Sequence, residues 1–150
     1  MTYTAVFHSQ REIVTQRDFT APRERVFRAW AEPERLAAWW GPGGTVPTLE
    51  EFDRTPGGHW RFSLRGLDGR DQPNDIVFVT LESARPLVFD QVSQPKHRLE
   101  ATLLETETGT QVTCVMRFET VAECEAVRAE TIRENEAFLD RLGVELAAMA

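Results

Sequence analysis

TVAECEAVRAETIRENEAFLDRLGVELAAM, residues 120–149, is the stretch whose reading decides the fold. Its apolar residues return every three or four positions, the spacing of one face of an α-helix, and no proline interrupts them. Those steps pick out Cys124, Val127, Thr131, Asn135, Phe138, Leu142, Leu146 and Met149, with Ile132 and Leu139 at the margin. Thr120 opens the helix as a capping box: its hydroxyl accepts from the N–H of Glu123, whose side chain reaches back to the N–H of Thr120. Glu119, Glu123 and Glu125 sit at the positive end of the helix dipole. The stripe is apolar at both ends and polar at Thr131 and Asn135. A helix gripping a solid core has no use for an amide in the middle of its buried face, so a cavity is expected there.

Upstream, the chain reads as a sheet built to wrap that helix. Residues 1–10 are weakly patterned and form a tail, and Arg11–Phe19 is a first strand with Ile13 and Phe19 on one face. Pro22 falls in the first turn of a short helix carrying Val26, Phe27 and Trp30, which the Glu32-Pro33 step ends. Pro33 starts a second short helix with Leu36, Trp39 and Trp40, and Gly41-Pro42-Gly43-Gly44 stops it. From Val46 the period changes to two, which predicts an antiparallel meander. Its strands are Val46–Phe52, His59–Arg65, Asp75–Glu82, Leu87–Val92, His97–Glu105 and Gln111–Phe118. Trp60, Phe62 and Leu64 alternate with outward Arg61, Ser63 and Arg65, and His59 points outward by the same parity. Leu99, Ala101 and Leu103 share one face of their strand, and Val112, Cys114, Met116 and Phe118 one face of theirs. Gly66–Asn74 is rich in turn formers and reads as a loop. The predicted order is β-α-α-β-β-β-β-β-β-α, an α+β arrangement without internal repeat.

Composition narrows the partners. A chain of 150 residues is one domain's worth, and a net charge of −7 with an isoelectric point near 5 opposes nucleic-acid and anionic-membrane partners. Nothing near Met1 resembles a signal peptide and no stretch approaches the ~20 apolar residues of a membrane span, so a cytoplasmic location is expected. Cys114 and Cys124 give no disulfide framework and fall on buried stripes, where a thiol serves as a small core hydrophobe.

At Asp18-Phe19-Thr20-Ala21-Pro22, Val26-Phe27-Arg28-Ala29-Trp30, Pro33-Glu34-Arg35-Leu36 and Trp39-Trp40-Gly41-Pro42 the chain resembles a known family. In order and spacing these segments are similar to the activator-of-Hsp90-ATPase-homologue branch of the START/Bet v 1-like (SRPBCC) superfamily. Pro56-Gly57-Gly58-His59-Trp60-Arg61-Phe62 looks like its glycine-pair strand. Arg85-Pro86-Leu87-Val88-Phe89-Asp90, Gly109-Thr110-Gln111-Val112-Thr113 and Leu139-Asp140-Arg141-Leu142 resemble later segments. The resemblance runs from about residue 12 to the end. It implies a helix-grip fold, a curved antiparallel sheet of about seven strands around a long C-terminal helix, with a pocket for hydrophobic small molecules between them. The family commonly has Gly-Trp where this chain has Glu134-Asn135, which implies a larger and more polar pocket here. It also tends to have a glycine near Asn74–Ile76, absent in this chain. The eukaryotic activator behind the family name has a further domain, so an Hsp90-type chaperone partner transfers poorly.

No catalytic or cofactor motif stands out: there is no Gly-x-Ser-x-Gly elbow, no phosphate-cradling loop and no zinc-type spacing. His8, His59 and His97 are scattered, and Asp68, Asp71 and Asp75 lack calcium-loop spacing and read as solvated loop carboxylates. The side chains that either fill the core or wall a pocket are Trp39, Trp40, Trp60, Phe62, Phe78, Phe89, Met116, Phe118 and Phe138. With Thr131 and Asn135 they supply apolar walls and a few placed polar groups, the usual make-up of a small-molecule site. The expected role is therefore binding of a hydrophobic or aromatic small molecule, a carrier or stress-response function, with no metal and no cofactor. The alternatives are an enzyme of the cyclase, dehydratase or hydrolase kind, with Arg17, Glu50, His97, Glu134 or Glu136 as titratable candidates, and a protein-interaction module using an exposed Trp39-Trp40 surface. A homodimer is left open.

Overall fold

A computed structural model describes residues 10–40, 48–65 and 69–150. Strand β1 (Glu12–Phe19) leads into helices α1 (Arg23–Ala31) and α2 (Pro33–Trp39). Strands β2 (Thr48–Phe52), β3 (His59–Arg65), β4 (Asp71–Thr80), β5 (Leu87–Gln91), β6 (His97–Glu105) and β7 (Thr110–Arg117) follow, and helix α3 (Val121–Ala148) closes the chain. The predicted tail, the Gly41–Gly44 stop, Val46, His8 and the Gly66–Asp68 part of the predicted loop lie outside the described residues.

The strands form one seven-stranded sheet in the order β1-β7-β6-β5-β4-β3-β2, with every neighbour antiparallel. Only the β1–β7 pair joins strands distant in sequence; every other pair is a meander. Register sets the core in rows: Ile13 lies opposite Met116, Met116 opposite Leu99, Leu99 opposite Phe89 and Phe89 opposite Phe78. All of that row is buried. The period-two alternation read from β3 and β7 is what puts these side chains on one face. Thr110 fixes the entry to α1, because its buried hydroxyl donates to the Ala21 carbonyl at 2.8 Å. Gly109 allows the β6–β7 turn to approach β1, since a Cβ there would fall 2.0 Å from the Phe19 carbonyl oxygen.

Helix α3 lies on that inner face and touches β1, α1 and α2. Its buried residues are Cys124, Thr131, Asn135, Leu139, Leu142 and Leu146. Leu139, expected at the margin, is therefore central, and Phe138 is only partly buried, because that edge of the helix turns toward Trp40 of the α2 end. Charged side chains hold the helix to the first strand. Arg17 of β1 pairs with Glu136 and Asp140. Arg128 donates to the carbonyls of Glu12 and Gln10 at 3.1 and 2.9 Å. Arg35 of α2 reaches Glu145 at 3.2 Å.

Several boundaries and contacts differ from the sequence reading. Asp71–Asn74, expected in a loop, is the start of β4, and Pro73 pairs with Ser63. A proline fits because the β4–β5 ladder begins only at Ile76 opposite Gln91, so β4 has a neighbour on one side alone at Pro73. Asp75 is in that strand too and is paired on the outer face with His59 at 2.7 Å and Arg61 at 3.4 Å, which corrects its reading as a solvated carboxylate. Pro22 stands at the N-cap of α1, one place before the helix. The capping box is half formed: Thr120 accepts from the Glu123 N–H at 3.1 Å, but its hydroxyl donates to the Glu123 carboxylate at 3.0 Å in place of the backbone contact. In β2 the register slips between Leu49 and Glu51, which leaves both Leu49 and Phe52 opposite inward residues of β3.

Candidate functional site

The inner sheet face, α3 and the α1–α2 pair do not close on one another completely. A cavity of about 250 Å³ remains between them. Its floor is deep: Thr15, Trp30, Trp39, Phe62, Leu99, Cys114 and Met116 line it and are buried. Thr131, Asn135, Phe138 and Leu139 form the helix side. Trp40, Leu64, Asn74, Gln91 and His97 stand at middle depth, and Gln72, Gln94, Pro95 and Glu134 make an exposed rim. The wall thus passes from aromatic and sulfur-bearing to amide and carboxylate.

Seven of the sequence-nominated residues meet here: Trp39, Trp40, Phe62, Met116, Thr131, Asn135 and Phe138. Trp40 organises the aromatic end. Its ring lies 5.4 Å from Trp39, 5.3 Å from Trp60 and 5.8 Å from Phe138, the last nearly parallel. Trp60, Phe78, Phe89 and Phe118 are brought elsewhere. Trp60 stacks on Phe62 at 4.3 Å and braces it from behind, while Phe78 and Phe89 pack edge to face at 5.4 Å in the solid part of the core. Phe118 sits beside the His97 ring, 5.4 Å away. These four point inward by parity but lie along their strands where the gap does not reach.

The polar groups of the cavity are unevenly satisfied. Asn135, 9% exposed, donates its Nδ2 to the Met116 sulfur at 3.3 Å, and its Oδ1 has no hydrogen bond among the described residues. The buried Thr15 Oγ1 and Trp30 Nε1 likewise have no partner among the described residues. Trp39 differs, donating to the Ala29 carbonyl at 2.9 Å. His97 places Nδ1 2.7 Å from the carbonyl oxygen of Pro95, which follows a cis Gln94–Pro95 bond. A carbonyl only accepts, so Nδ1 carries the proton. Burial pushes the imidazole below its ordinary pKa, opposed by the Pro95 hydrogen bond and by Asp90. The Glu134 carboxyl is pushed up by partial burial and by Glu130, against Arg133. Burial lifts the Cys114 thiol to about 12, so it is no nucleophile.

Of the other titratable candidates, His97 and Glu134 line the cavity, whereas Arg17 and Glu136 are engaged with each other and Glu50 bonds Ser63 at 3.0 Å on β3. Among the described residues no group of three His, Cys, Asp or Glu side chains could hold a metal ion. No described helix is long and apolar enough to cross a membrane. A second, more open groove of about 490 Å³ borders the far side of His97. Its Arg98 and Arg117 are already paired with Asp90 and Glu12.

Sequence reasoning missed Thr15, Trp30, Leu64, Gln72, Asn74, Gln91, Gln94, Pro95, Leu99, Cys114 and Leu139 as cavity residues. Parity could have found several: Thr15 shares the face of Ile13, Gln91 that of Phe89, and Leu99 and Cys114 had been assigned inward.

A long helix clasped by a curved antiparallel sheet, with two short helices after the first strand, is the helix-grip arrangement of the START/Bet v 1-like superfamily. Residues 20–147 match the model of the family described as Activator of Hsp90 ATPase homolog 1-like protein, and the chain belongs to that family. Solved structures agree on the fold. A Rhodobacter sphaeroides protein superposes with a TM-score of 0.86 at 24% identity, covering 97% of each chain. A Nitrosomonas europaea protein gives 0.85 at 19%, covering 95% of this chain and 98% of its own. A Mycobacterium smegmatis protein gives 0.83 at 21%, covering 98% and 99%. No curated protein matches the chain significantly.

Proposed function

We propose that the protein binds a hydrophobic, aromatic small molecule in the cavity between the sheet and α3. The observation that carries this reading is Asn135. An amide only 9% exposed in the middle of the helix's buried face, its nitrogen on a sulfur and its oxygen without a hydrogen bond among the described residues, is a polar group that an all-apolar core would not place there. Apolar walls with a few polar groups are the usual composition of a ligand site. The size supports a small ring system: an apolar cavity of about 150 Å³ accommodates benzene, and about 250 Å³ has room for two fused rings.

The test is calorimetric titration of the purified protein with naphthalene-sized aromatics, together with native mass spectrometry for a co-purified molecule. Binding that is abolished in a folded Asn135→Trp variant, whose indole fills the gap, supports the reading. A flat response across the probes with no co-purified ligand sinks it. An enzyme using the same cavity is the alternative, favoured by His97 of the sheet and Glu134 of the helix both lining it with their proton affinities shifted toward one another. Turnover of a bound aromatic lost in both His97→Phe and Glu134→Gln would select it.

A further inference from the structure

Resting on that binding reading, we infer that the cavity selects an uncharged aromatic carrying a hydroxyl or N–H donor, the phenol class, with Asn135 Oδ1 and His97 Nε2 as the acceptors. The chemistry follows from the partners already taken. Sulfur in a thioether only accepts, so the amide nitrogen of Asn135 must face Met116, 3.3 Å away, and the oxygen is left for another donor. The Nδ1–H of His97 is spent on the Pro95 carbonyl, so a neutral ring offers Nε2 as a lone pair. His97 stands opposite Gln91 in the register, on the inner face with the rest of the cavity wall. Asn135 and His97 thus come from the helix and the sheet, and each presents an acceptor with no hydrogen bond among the described residues.

Charge makes the second half of the selection. Among the described lining residues there is no Lys or Arg, and the sole charged side chain is Glu134 at the rim. A carboxylate ligand would lose its hydration against a wall with no counter-charge and would pass a carboxylate on entry. A neutral hydroxyl loses only its hydrogen bonds to water and regains the donated one on either of the two acceptors.

The probes are naphthalene, 2-naphthol and 2-naphthoate, titrated calorimetrically at neutral pH into the intact protein and into Asn135→Leu and His97→Phe. The expected result is 2-naphthol bound about tenfold more tightly than naphthalene by the wild type, as one net hydrogen bond allows. The ratio of the 2-naphthol to the naphthalene affinity shrinks in each variant, and 2-naphthoate is the weakest of the three for the wild type. A second measurement needs no variant. In ¹⁵N spectra of the wild-type imidazole, Nε2 is unprotonated and moves on adding 2-naphthol but not naphthalene. Naphthalene and 2-naphthol binding equally, an unmoved Nε2, or tight 2-naphthoate binding overturns this inference and leaves the cavity reading standing. Failure of all three probes overturns both.

Discussion

The ring of Phe138 on α3 lies nearly parallel to that of Trp40 at the end of α2, 5.8 Å away and 19° from coplanar. The guanidinium of Arg141 covers the same phenyl ring at 4.9 Å and donates to the Trp39 carbonyl. Phe138 therefore joins the helix to the aromatic end of the cavity without being fully buried. Leu142, one turn on, is completely buried. Leu142→Ala is expected to destabilise by about 2–5 kcal/mol, the range of large-to-small core changes. Phe138→Ala should cost less and enlarge the cavity, because part of its area already faces solvent or open space. Denaturant midpoints for the two variants decide it, and equal or reversed losses would place the wrong residue at the packing centre.

Thr15 offers a test with the opposite sign. Its hydroxyl is buried without a partner among the described residues. Thr15→Val keeps the branched shape that suits a strand and removes the unsatisfied group, so stability should rise by about 1 kcal/mol. A thermal midpoint that falls would mean the hydroxyl is satisfied in solution.

The pH response of His97 has a definite sign. Its folded pKa lies below the ordinary 6.5 through burial, despite Asp90 and the Pro95 carbonyl. As pH falls through 6.5 the unfolded chain takes up the proton first, so stability is lost progressively and the loss levels off below the folded value. Lys96, Arg98, Arg11 and Arg117, with the carboxylates Asp90 and Glu119, line the groove that His97 also borders. Urea midpoints between neutral and mildly acid pH should decline in the wild type, with that component missing in His97→Phe. A wild-type curve indistinguishable from the variant's would show that the imidazole is not held neutral.

Cys114 should resist thiol reagents. Its thiol is buried and its pKa is raised to about 12, which leaves almost no thiolate at neutral pH. Native protein is expected to label at this position only after denaturant is added, as peptide mass spectrometry would report. Fast labelling in the native state would mean that the floor of the cavity opens readily.

Much of this architecture was legible before any coordinates. The three-and-four spacing from Cys124 to Leu146 encodes the helix, and the alternation of Trp60, Phe62 and Leu64 encodes a strand with one dry face. Pro73 was misleading because a proline inside a strand is permitted or forbidden by the length of the neighbouring strand, and that length is set by pairing. The cavity residues were partly legible for a related reason. Parity tells which face Phe78, Phe89 and Thr15 occupy, but the end of the strand at which helix and sheet separate depends on how α3 crosses the rows. Size also misled. Large aromatics drew notice, while Thr15, Gln91 and Asn74, small or polar on the same face, were passed over. Trp30 carries an indole N–H without a partner among the described residues, and its neighbour Trp39 a paired one; no pattern in the residues distinguishes the two.

The grip between Arg17 and the pair Glu136 and Asp140, together with the hold of Arg128 on the carbonyls of Glu12 and Gln10, has a consequence for traffic. Swinging α3 away like a lid would break these contacts at once and strip the first strand of its cover. Any guest of the cavity would therefore have to pass its exposed rim, where Gln72, Gln94 and Glu134 stand, while the helix stays moored.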